Sequence, residues 1–493
     1  MTIKENITFD NTILLSVLKE VKKNGFEPIL IGGCVRDKFM GIEPKDIDVE
    51  VHGCTVEQLD KILSKLGKVD SVGKSFGILK FKKEGMEFDF SVPRKENRIG
   101  VGHKDFEVIL EPMTKEEAAL RRDFTWNAMG FDPLTNTLFD FFGGLEDLKN
   151  GILRHTSDKF KEDPLRILRG LQFQSRMGFT VAPETFEIMR EMSTELCHLP
   201  KERLSEEFMK WASKGKHPEL IFDFLRESGS MVVIPELGLL RNTEQDPVWH
   251  PEGGVEIHEK LTMVRMLQIC EREGIVGDER AKFMLTMLLH DIAKPQTTEK
   301  EFIERDGRVC ITSKGHEGLG AVMAEEILNR IGIKPVLVEQ IVKLIKFHLA
   351  HINIFSISSL SSRKKSLLSL SKNIHPSTIK DLLLVVEADA LGRDNVDDKR
   401  VEKVRKEISE VWNLAKTLHV TTEQRKSILM GRHLIERGMK PSVKFGEILK
   451  KADEAQDNLE FKTLRGAQLW LDHELNPTVK TWVMVRCGRL LGW

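Results

Sequence analysis

No tyrosine occurs anywhere in this 493-residue chain, although phenylalanine occurs 26 times. Tyrosine is thereby excluded from every catalytic role. Cysteine is scarce too: six residues, at 34, 54, 197, 270, 310 and 487, with no CxxC pair. That pattern gives no support to a zinc ribbon or a disulfide framework and fits reduced thiols. No apolar run reaches membrane-spanning length. The opening residues, MTIKENITFDN, lack a signal-peptide core, so a cytoplasmic protein is expected. Net charge is also lacking: 75 Lys and Arg stand against 76 Asp and Glu. A nucleic-acid partner would therefore have to meet a local basic face rather than a global positive field. No Ser-His-Asp grouping asks for a nucleophilic mechanism, and no internal repeat or long disordered linker is present.

At this length one core does not suffice, and two to four domains are expected. The chain is organised around residues 31–51, IGGCVRDKFMGIEPKDIDVEV. The apolar run 28–31 predicts a buried strand. Gly32 and Gly33 end it and let backbone come close to a ligand, with Arg36 available as a counter-charge in the helical piece that follows. Residues 46–49 predict a second strand, Asp46 and Asp48 on one face and Ile47 and Val49 towards the core. Two neighbouring carboxylates repel unless a cation lies between them, and oxygen-seeking Mg²⁺ completed by substrate phosphates is the usual answer. An edge strand with water-facing aspartates is the competing reading; the glycine pair upstream shifts the balance towards a nucleotide site. Residues 86–92 alternate as a half-buried strand. Asp89 is a third carboxylate if the two strands pair in suitable register, and otherwise an exposed strand aspartate. Residues 94–105 read as a mobile loop.

Residues 116–128, EEAALRRDFTWNA, are helical in pattern and bring Arg121, Arg122, Asp123 and Asn127 together. Carboxylate and amide suit hydroxyls, and guanidinium suits phosphate; a salt-bridged surface helix is the alternative. Glu162-Asp163-Pro164 marks a helix start, after which Asp163, Arg166 and Arg169 recur every three residues. GGCVRD…DIDV, RRDFTWNA and EDPLRILRGLQF, in this order and at these separations, resemble the class II tRNA nucleotidyltransferases. These are the CCA-adding enzymes, close relatives of bacterial poly(A) polymerases, built on a DNA-polymerase-β-like head. The resemblance covers about residues 25–240. It implies that Asp46 and Asp48 hold catalytic Mg²⁺ and that Gly32, Gly33, Arg36, Arg122, Asp123, Asn127 and Arg169 surround the incoming CTP or ATP. Asp163 and Arg166 would read its base, and tRNA would be the acceptor. The family usually has Ile where this chain has Trp126, which must find extra volume.

Further along, His258, the pair His290-Asp291, His316, His348, His351 and Asp389 lie on helical stretches. Imidazoles and carboxylates gathered from several helices make a site suited to Mn, Fe, Co, Ni, Zn or Mg. The order H…HD…H…H…D resembles the HD phosphohydrolase superfamily. It implies His258, His290, Asp291 and Asp389 as core ligands, with His316 and His348 serving a second metal and His351 a weaker candidate. Phosphatase and 2′,3′-cyclic phosphodiesterase activities are those reported for such domains in CCA-adding enzymes. Residues 397–418 predict a long charged helix with a solvated face. Residues 428–456 read as two short helices around 438–441, with Arg432, Arg437, Lys440 and Lys444 near the turn, where RNA phosphates could be met.

The expected fold is α+β: a polymerase-β-like nucleotidyltransferase head (1–155), then an all-α neck (156–240), an HD domain (241–400) and a helical tail (401–493). The expected function is untemplated addition of the 3′-terminal CCA to tRNA from CTP and ATP. A poly(A) polymerase, or an HD phosphohydrolase whose head merely binds nucleotide, are the alternatives.

Overall fold

The computed structural model describes residues 2–4, 7–70, 77–93, 95–98, 106–109, 113–304, 306–394, 397–423, 425–458 and 460–476. They form two compact units, Met1–Val233 and Ile234–Trp493.

The first unit is built on an eight-stranded sheet. Its strands are β1 (Thr2–Lys4), β2 (Glu27–Ile31), β3 (Asp48–His52), β4 (Lys68–Asp70), β5 (Ile78–Lys83), β6 (Met86–Ser91), β9 (Gly130–Asp132) and β10 (Thr137–Phe139), in the order β1-β10-β9-β2-β3-β6-β5-β4. A separate hairpin joins β7 (Lys95–Arg98) to β8 (Phe106–Ile109). Part of the segment read as a mobile loop is therefore a strand; residues 94 and 99–105 lie outside the described residues. Strands β2 and β3 sit centrally because their apolar residues, Ile29, Leu30, Val49 and Val51, are buried. Helices α1 (Thr12–Lys23) and α3 (Val56–Leu66) pack together and against β2 and β5 respectively. Thr55 and Gln58 close a reciprocal capping box at the start of α3. Between β2 and β3, α2 (Gly33–Phe39) begins at Gly32, whose φ of +69° is disfavoured for residues with a Cβ.

Two expected elements change shape. The strand of the paired aspartates starts at Asp48, not Asp46, although Asp89 N still donates to Ile47 O at 3.1 Å. The helix expected over 116–128 stops as α4 (Lys115–Leu120). Thr125 N donates to Arg154 O and Thr156 N to Asp123 O, at 3.0 and 3.1 Å. Cross-chain bonds of this kind satisfy the backbone without a helix, and a short 3₁₀ turn, Thr125–Asn127, follows. The extra volume for Trp126 is found in an aromatic cluster: its ring centroid lies 5.5 Å from Phe124 and 4.9 Å from Phe173, and its Nε1 donates to Ile152 O at 3.1 Å. After α5 (Gly144–Asn150), a small parallel pair β11 (Ile152–Leu153) and β12 (Thr180–Val181) interrupts what was expected to be purely helical. Helices α6 (Leu165–Met177), α7 (Pro183–Met192), α8 (Lys201–Lys214) and α9 (Ile221–Glu227) complete the unit, with α6 packed on α8 and α9.

The second unit is mostly helical. Helices α10 (Val255–Glu273), α11 (Gly277–Leu289) and α12 (Lys294–Thr297) precede a hairpin, β13 (Thr298–Ile303) and β14 (Arg308–Ser313), that the sequence reading did not foresee. There follow α13 (His316–Arg330), α14 (Pro335–Phe347), α15 (Ala350–Ser356), α16 (Leu360–Asn373), α17 (Ile379–Leu391) and α18 (Asp398–Thr417). The tail helices α19 (Gly431–Ile435), α20 (Val443–Asp457) and α21 (Leu464–Leu475) close over Leu434, Ile448, Phe461 and Leu471. No helix among the described residues is long and apolar enough to cross a membrane. Cys34, Cys54, Cys197, Cys270 and Cys310 are free thiols, and Cys487 lies outside the described residues.

Candidate active sites

In the first unit, a cavity of about 560 Å³ gathers residues from Gly32 at the end of β2, from β3 and α2, from the 121–127 turn, and from α6 and α8. Gly32, Gly33, Arg36, Asp48, Arg122, Asp123, Asn127, Asp163, Arg166 and Arg169 all line it. The cavity is cationic, and Arg36, Arg122, Arg169 and Arg203 are held by carboxylates. Asp123, buried, accepts from Arg169 Nε at 2.8 Å, from Asn127 Nδ2 at 3.0 Å and from Phe124 N at 2.8 Å. Burial works to raise its pKa, but Arg169 and these hydrogen bonds outweigh it and hold it below the usual range. Arg36 donates to Asn127 Oδ1 at 2.9 Å and lies over the faces of Trp126 and Phe173, 5.4 and 5.3 Å from their centroids. Arg122 donates to Glu50 at 2.8 Å, and Glu50 is bonded in turn to His52 Nε2 at 2.9 Å.

The base-reading pair is also anchored. Arg166 donates from Nη1 to Lys159 O at 2.6 Å and from Nη2 to Arg121 O at 2.5 Å. Burial lowers its pKa. Of five guanidinium N–H groups, three remain for a ligand. Asp163 Oδ2 accepts from Arg203 Nη2 at 2.9 Å and its Oδ1 from Leu165 N at 3.1 Å.

Asp48 and Asp89 stand directly opposite each other in the parallel β3–β6 ladder, the register that makes Asp89 a third carboxylate. Burial raises the Asp48 pKa, and the charges of Asp89 and, to a lesser degree, Asp46 push it further up, against Arg122. Crowded carboxylates of this kind fit a divalent cation. Asp46 is exposed and precedes the strand, and Asp89 lies 3.9 Å from Lys80 Nζ. Neither lines the cavity. Sequence reasoning missed Glu50, although strand alternation puts it on the face of Asp48. It also missed Arg176, Arg203, Lys210 and Lys214, which complete the cavity wall; their helical spacing gave no signal beyond that of a charged helix.

In the second unit the structure brings His258, His290, Asp291, His316, His348 and Asp389 together, all buried. Four groups of ligand atoms lie within 4.8 Å among the described residues: His258, His290 and Asp389; Asp291, His316 and His348; Glu259, His290 and Asp291; and His250, Glu252 and His258. Every imidazole is preset. His316, His348 and His290 direct Nδ1 at the carbonyls of Ser313, Ile345 and Met287, at 2.6, 2.7 and 3.0 Å. A carbonyl can only accept, so Nδ1 carries the hydrogen in each. His258 directs Nδ1 at the Glu252 carboxylate, 2.8 Å away. All four Nε2 atoms therefore face inward. Those of His316 and His348 are 3.3 Å apart, that of His258 is 3.1 Å from Asp389 Oδ1, and that of His290 is buried without a hydrogen-bond partner. Facing lone pairs and an orphaned nitrogen fit divalent metal. Glu252 and Glu259 were not foreseen: Glu252 orients His258, and Glu259 Oε2 lies 3.1 Å from His290 Nδ1. Burial pulls the His290 pKa down, but Glu259 and Asp291 outweigh it and push it up to about 10, so the carboxylates around this ring call for a positive charge that either a proton on Nε2 or a metal in its place would supply. His351 stands apart, its Nδ1 on His348 O at 3.0 Å.

Of the tail cations, Arg437 is committed inward, donating to Asp472 at 2.6 Å. It is a packing residue rather than a free RNA contact, because it ties the 438–441 turn to α21.

Three family models match along the chain: a poly A polymerase head domain over residues 29–154, a probable RNA- and SrmB-binding site of polymerase A over 178–239, and an HD domain over 255–393. The multifunctional CCA protein of Actinobacillus pleuropneumoniae serotype 5b is 33% identical over 371 residues, 74% of this chain and 85% of that protein. That of Nitrosococcus oceani is 33% identical over 382 residues, 76% and 86% of the two chains. Among solved structures, the Bacillus stearothermophilus CCA-adding enzyme in complex with CTP aligns over 94% of this chain and 96% of its own, with TM-score 0.58 and 18% identity. The Thermotoga maritima CCA-adding enzyme complexed with tRNA covers 97% and 96%, with TM-score 0.55 and 19% identity. The structural likenesses show a shared fold, and nucleotidyltransferase and HD families generally use divalent metals. On sequence identity sustained over most of the length of those curated proteins, the chain belongs to the multifunctional CCA protein family of CCA-adding enzymes.

Proposed function

We infer that this protein builds or repairs the 3′-terminal CCA of tRNA from CTP and ATP without a nucleic-acid template. The single observation that carries this reading is the cationic cavity in which Asp48, the Arg36–Asn127–Asp123–Arg169 chain and the Asp163/Arg166 pair meet. Asp46 and Asp48, with Asp89 beside them, would hold Mg²⁺, which when bound lowers the pKa of the attacking 3′-hydroxyl and steadies the triphosphate. The chain's own residues do the rest. Arg36, Arg122 and Arg169 face the triphosphate with guanidinium groups already locked by neighbours, so little side-chain entropy is lost on binding. Gly32 leaves room for backbone beside the phosphates.

Selection of C and A follows from hydrogen-bond complementarity. Both bases carry an amino donor beside an unprotonated ring nitrogen, whereas U and G carry a carbonyl beside an N–H. Asp163 accepts and Arg166 donates, so the pair matches C and A and sets like against like for U and G. Unpaired buried polar groups support discrimination on the order of 10⁴. A poly(A) polymerase shares such a head, but relatives matched over most of their length are CCA proteins, which favours CCA addition.

The histidine cluster supports a second reading for the other unit: metal-dependent phosphoester hydrolysis, with Mg²⁺ or a transition metal held by His258, His290, Asp291 and Asp389, and by His316 and His348. Bound metal would activate water there. The free thiols of the described cysteines support a cytoplasmic protein. The decisive experiment supplies tRNA ending before CCA with one nucleoside triphosphate at a time. CMP and then AMP addition, abolished by Asp46→Asn in a folded protein, is the expected result. Homopolymeric A addition, or an unimpaired Asp46→Asn variant, would sink the reading.

A further inference from the structure

Helix α18 reads from sequence as a solvated charged face, yet its first turns form one wall of a cavity of about 760 Å³ at the mouth of the histidine cluster. His316 and Asp389 line the inner end, and Trp249, 55% exposed, lines the opposite side with Ile352. The α18 side carries Arg400, Lys403 and Glu407, with Lys403 Nζ 3.9 Å from the Glu407 carboxylate, and Arg393 reaches it from just beyond α17, so the wall is net cationic. Arg393 and Arg400 oppose one another electrostatically; burial first, and then that repulsion, hold Arg400 below the usual arginine range. Their hydrogen bonds go to main chain, Arg393 Nη1 to Trp249 O and Arg400 Nε to Ala390 O at 3.2 Å. The Arg393 Nε is buried without a hydrogen-bond partner. Asp389, 3.8 Å from Arg393 Nη2, is already engaged by His258, and among the described residues Arg400 makes no ion pair. Asp246, on the same cavity, is taken by both Nη atoms of Arg308 at 2.8 Å. Two partly buried guanidinium groups that repel one another, only one of them near a carboxylate, favour an anion with several acceptor oxygens.

We propose that this wall is a second phosphate subsite, so that the second unit prefers an oligonucleotide 3′ end, which carries a further internucleotide phosphate, to a mononucleotide. The scissile phosphate lies at the histidine cluster, the next internucleotide phosphate on Arg393, Arg400 and Lys403, and a base against Trp249. A mononucleotide has no second phosphate and leaves the wall unfilled. This rests on reading the unit as a metal-dependent phosphohydrolase. In the step itself, water oxygen bonds to phosphorus, the bond from phosphorus to one ribose oxygen breaks, and that oxygen takes the proton lost by water.

The test uses full-length protein loaded with Mn²⁺ or Ni²⁺ and three substrates: bis(p-nitrophenyl) phosphate, adenosine 2′,3′-cyclic phosphate, and the dinucleotide ApA ending in a 2′,3′-cyclic phosphate. The dinucleotide should show a KM about tenfold below that of the mononucleotide, the worth of one charge-assisted contact. Arg400→Ala with Lys403→Ala should raise the dinucleotide KM about tenfold more than the mononucleotide KM. Equal KM values in the unaltered protein, or equal effects of the variant on all substrates, would overturn the proposal. So would adenosine diphosphate binding this cavity more tightly than the dinucleotide. If no substrate is cleaved, the hydrolase reading falls, and calorimetric titration with the dinucleotide decides the subsite. Roughly tenfold weaker binding to the variant supports the anion wall, and unchanged binding removes it.

Discussion

Arg166 is pinned at two points to main-chain carbonyls and presents its remaining donors to the cavity. Truncating it to Ala should lower CTP and ATP addition by about 10²-fold or more and narrow their advantage over UTP and GTP, because the donor that rejects U and G is gone. Single-turnover addition of each nucleotide to tRNA lacking its terminus measures this; unchanged selectivity would place base reading elsewhere. Asp123 makes a separate prediction about pH. Its folded pKa is depressed, so its stabilising contribution is present above the ordinary carboxylate range and is lost as pH falls through the depressed value. Arg169→Met removes the cation that wins against burial and leaves a buried carboxylate whose charged form is disfavoured. The variant should therefore be destabilised by about 2 kcal/mol at pH 7, Arg169 being partly exposed, and by less near pH 4, where the neutral carboxyl fits. Urea unfolding of both proteins at the two pH values checks the sign. An equal loss at both would mean that packing rather than charge is at stake.

Gly32 links strand, turn and helix within three residues. Its backbone lies at φ +69° and ψ −131°, and an added Cβ would come within 3.5 Å of Arg122 Nη1. Gly32→Ala should cost about 1–3 kcal/mol of stability from backbone strain alone. It should also raise the KM for CTP, because the strained backbone shifts the turn that faces the phosphates, the Cβ itself making only ordinary contact with Arg122; melting and steady-state kinetics separate the two effects. The element scale is also where the sequence is most and least readable. Glycine and capping residues act locally, so α1, α2, α3 and the start of the 165–177 helix are legible from spacing alone. Asp48, Asp163 and Arg166, which the structure places on one cavity, stand in short motifs, whereas the six metal-competent residues of the second unit, spread from 258 to 389, are singled out by residue type and order along the chain. What stays hidden depends on partners distant in sequence. The 116–128 segment has a helical pattern, but residues 123–125 bond to 154–156 and leave the helix. Glu252 and Arg203 act only on the residues they orient. The β13–β14 hairpin did leave a trace, the Asp306-Gly307 turn signal, which sits in a charged segment that reads as loop.

The two compact units carry their chemistry separately, with the nucleotide cavity in residues 1–233 and the imidazole cluster in 234–493. His290→Ala with Asp291→Ala should abolish metal-dependent phosphoester cleavage while CCA addition proceeds at near its ordinary rate. Parallel loss of both activities in a folded variant would contradict separate sites. The molecule also carries its own optical reporter. With no tyrosine, all of its intrinsic ultraviolet emission comes from seven tryptophans. Trp126 is buried beneath Arg36, which itself lines the nucleotide cavity. A triphosphate drawing on the Arg36 charge changes the electric field across that indole, so its emission shifts as the cavity fills. Subtracting the spectrum of Trp126→Phe isolates the signal, and nucleotide occupancy can then be followed in real time on unlabelled protein, with no tRNA present and no turnover.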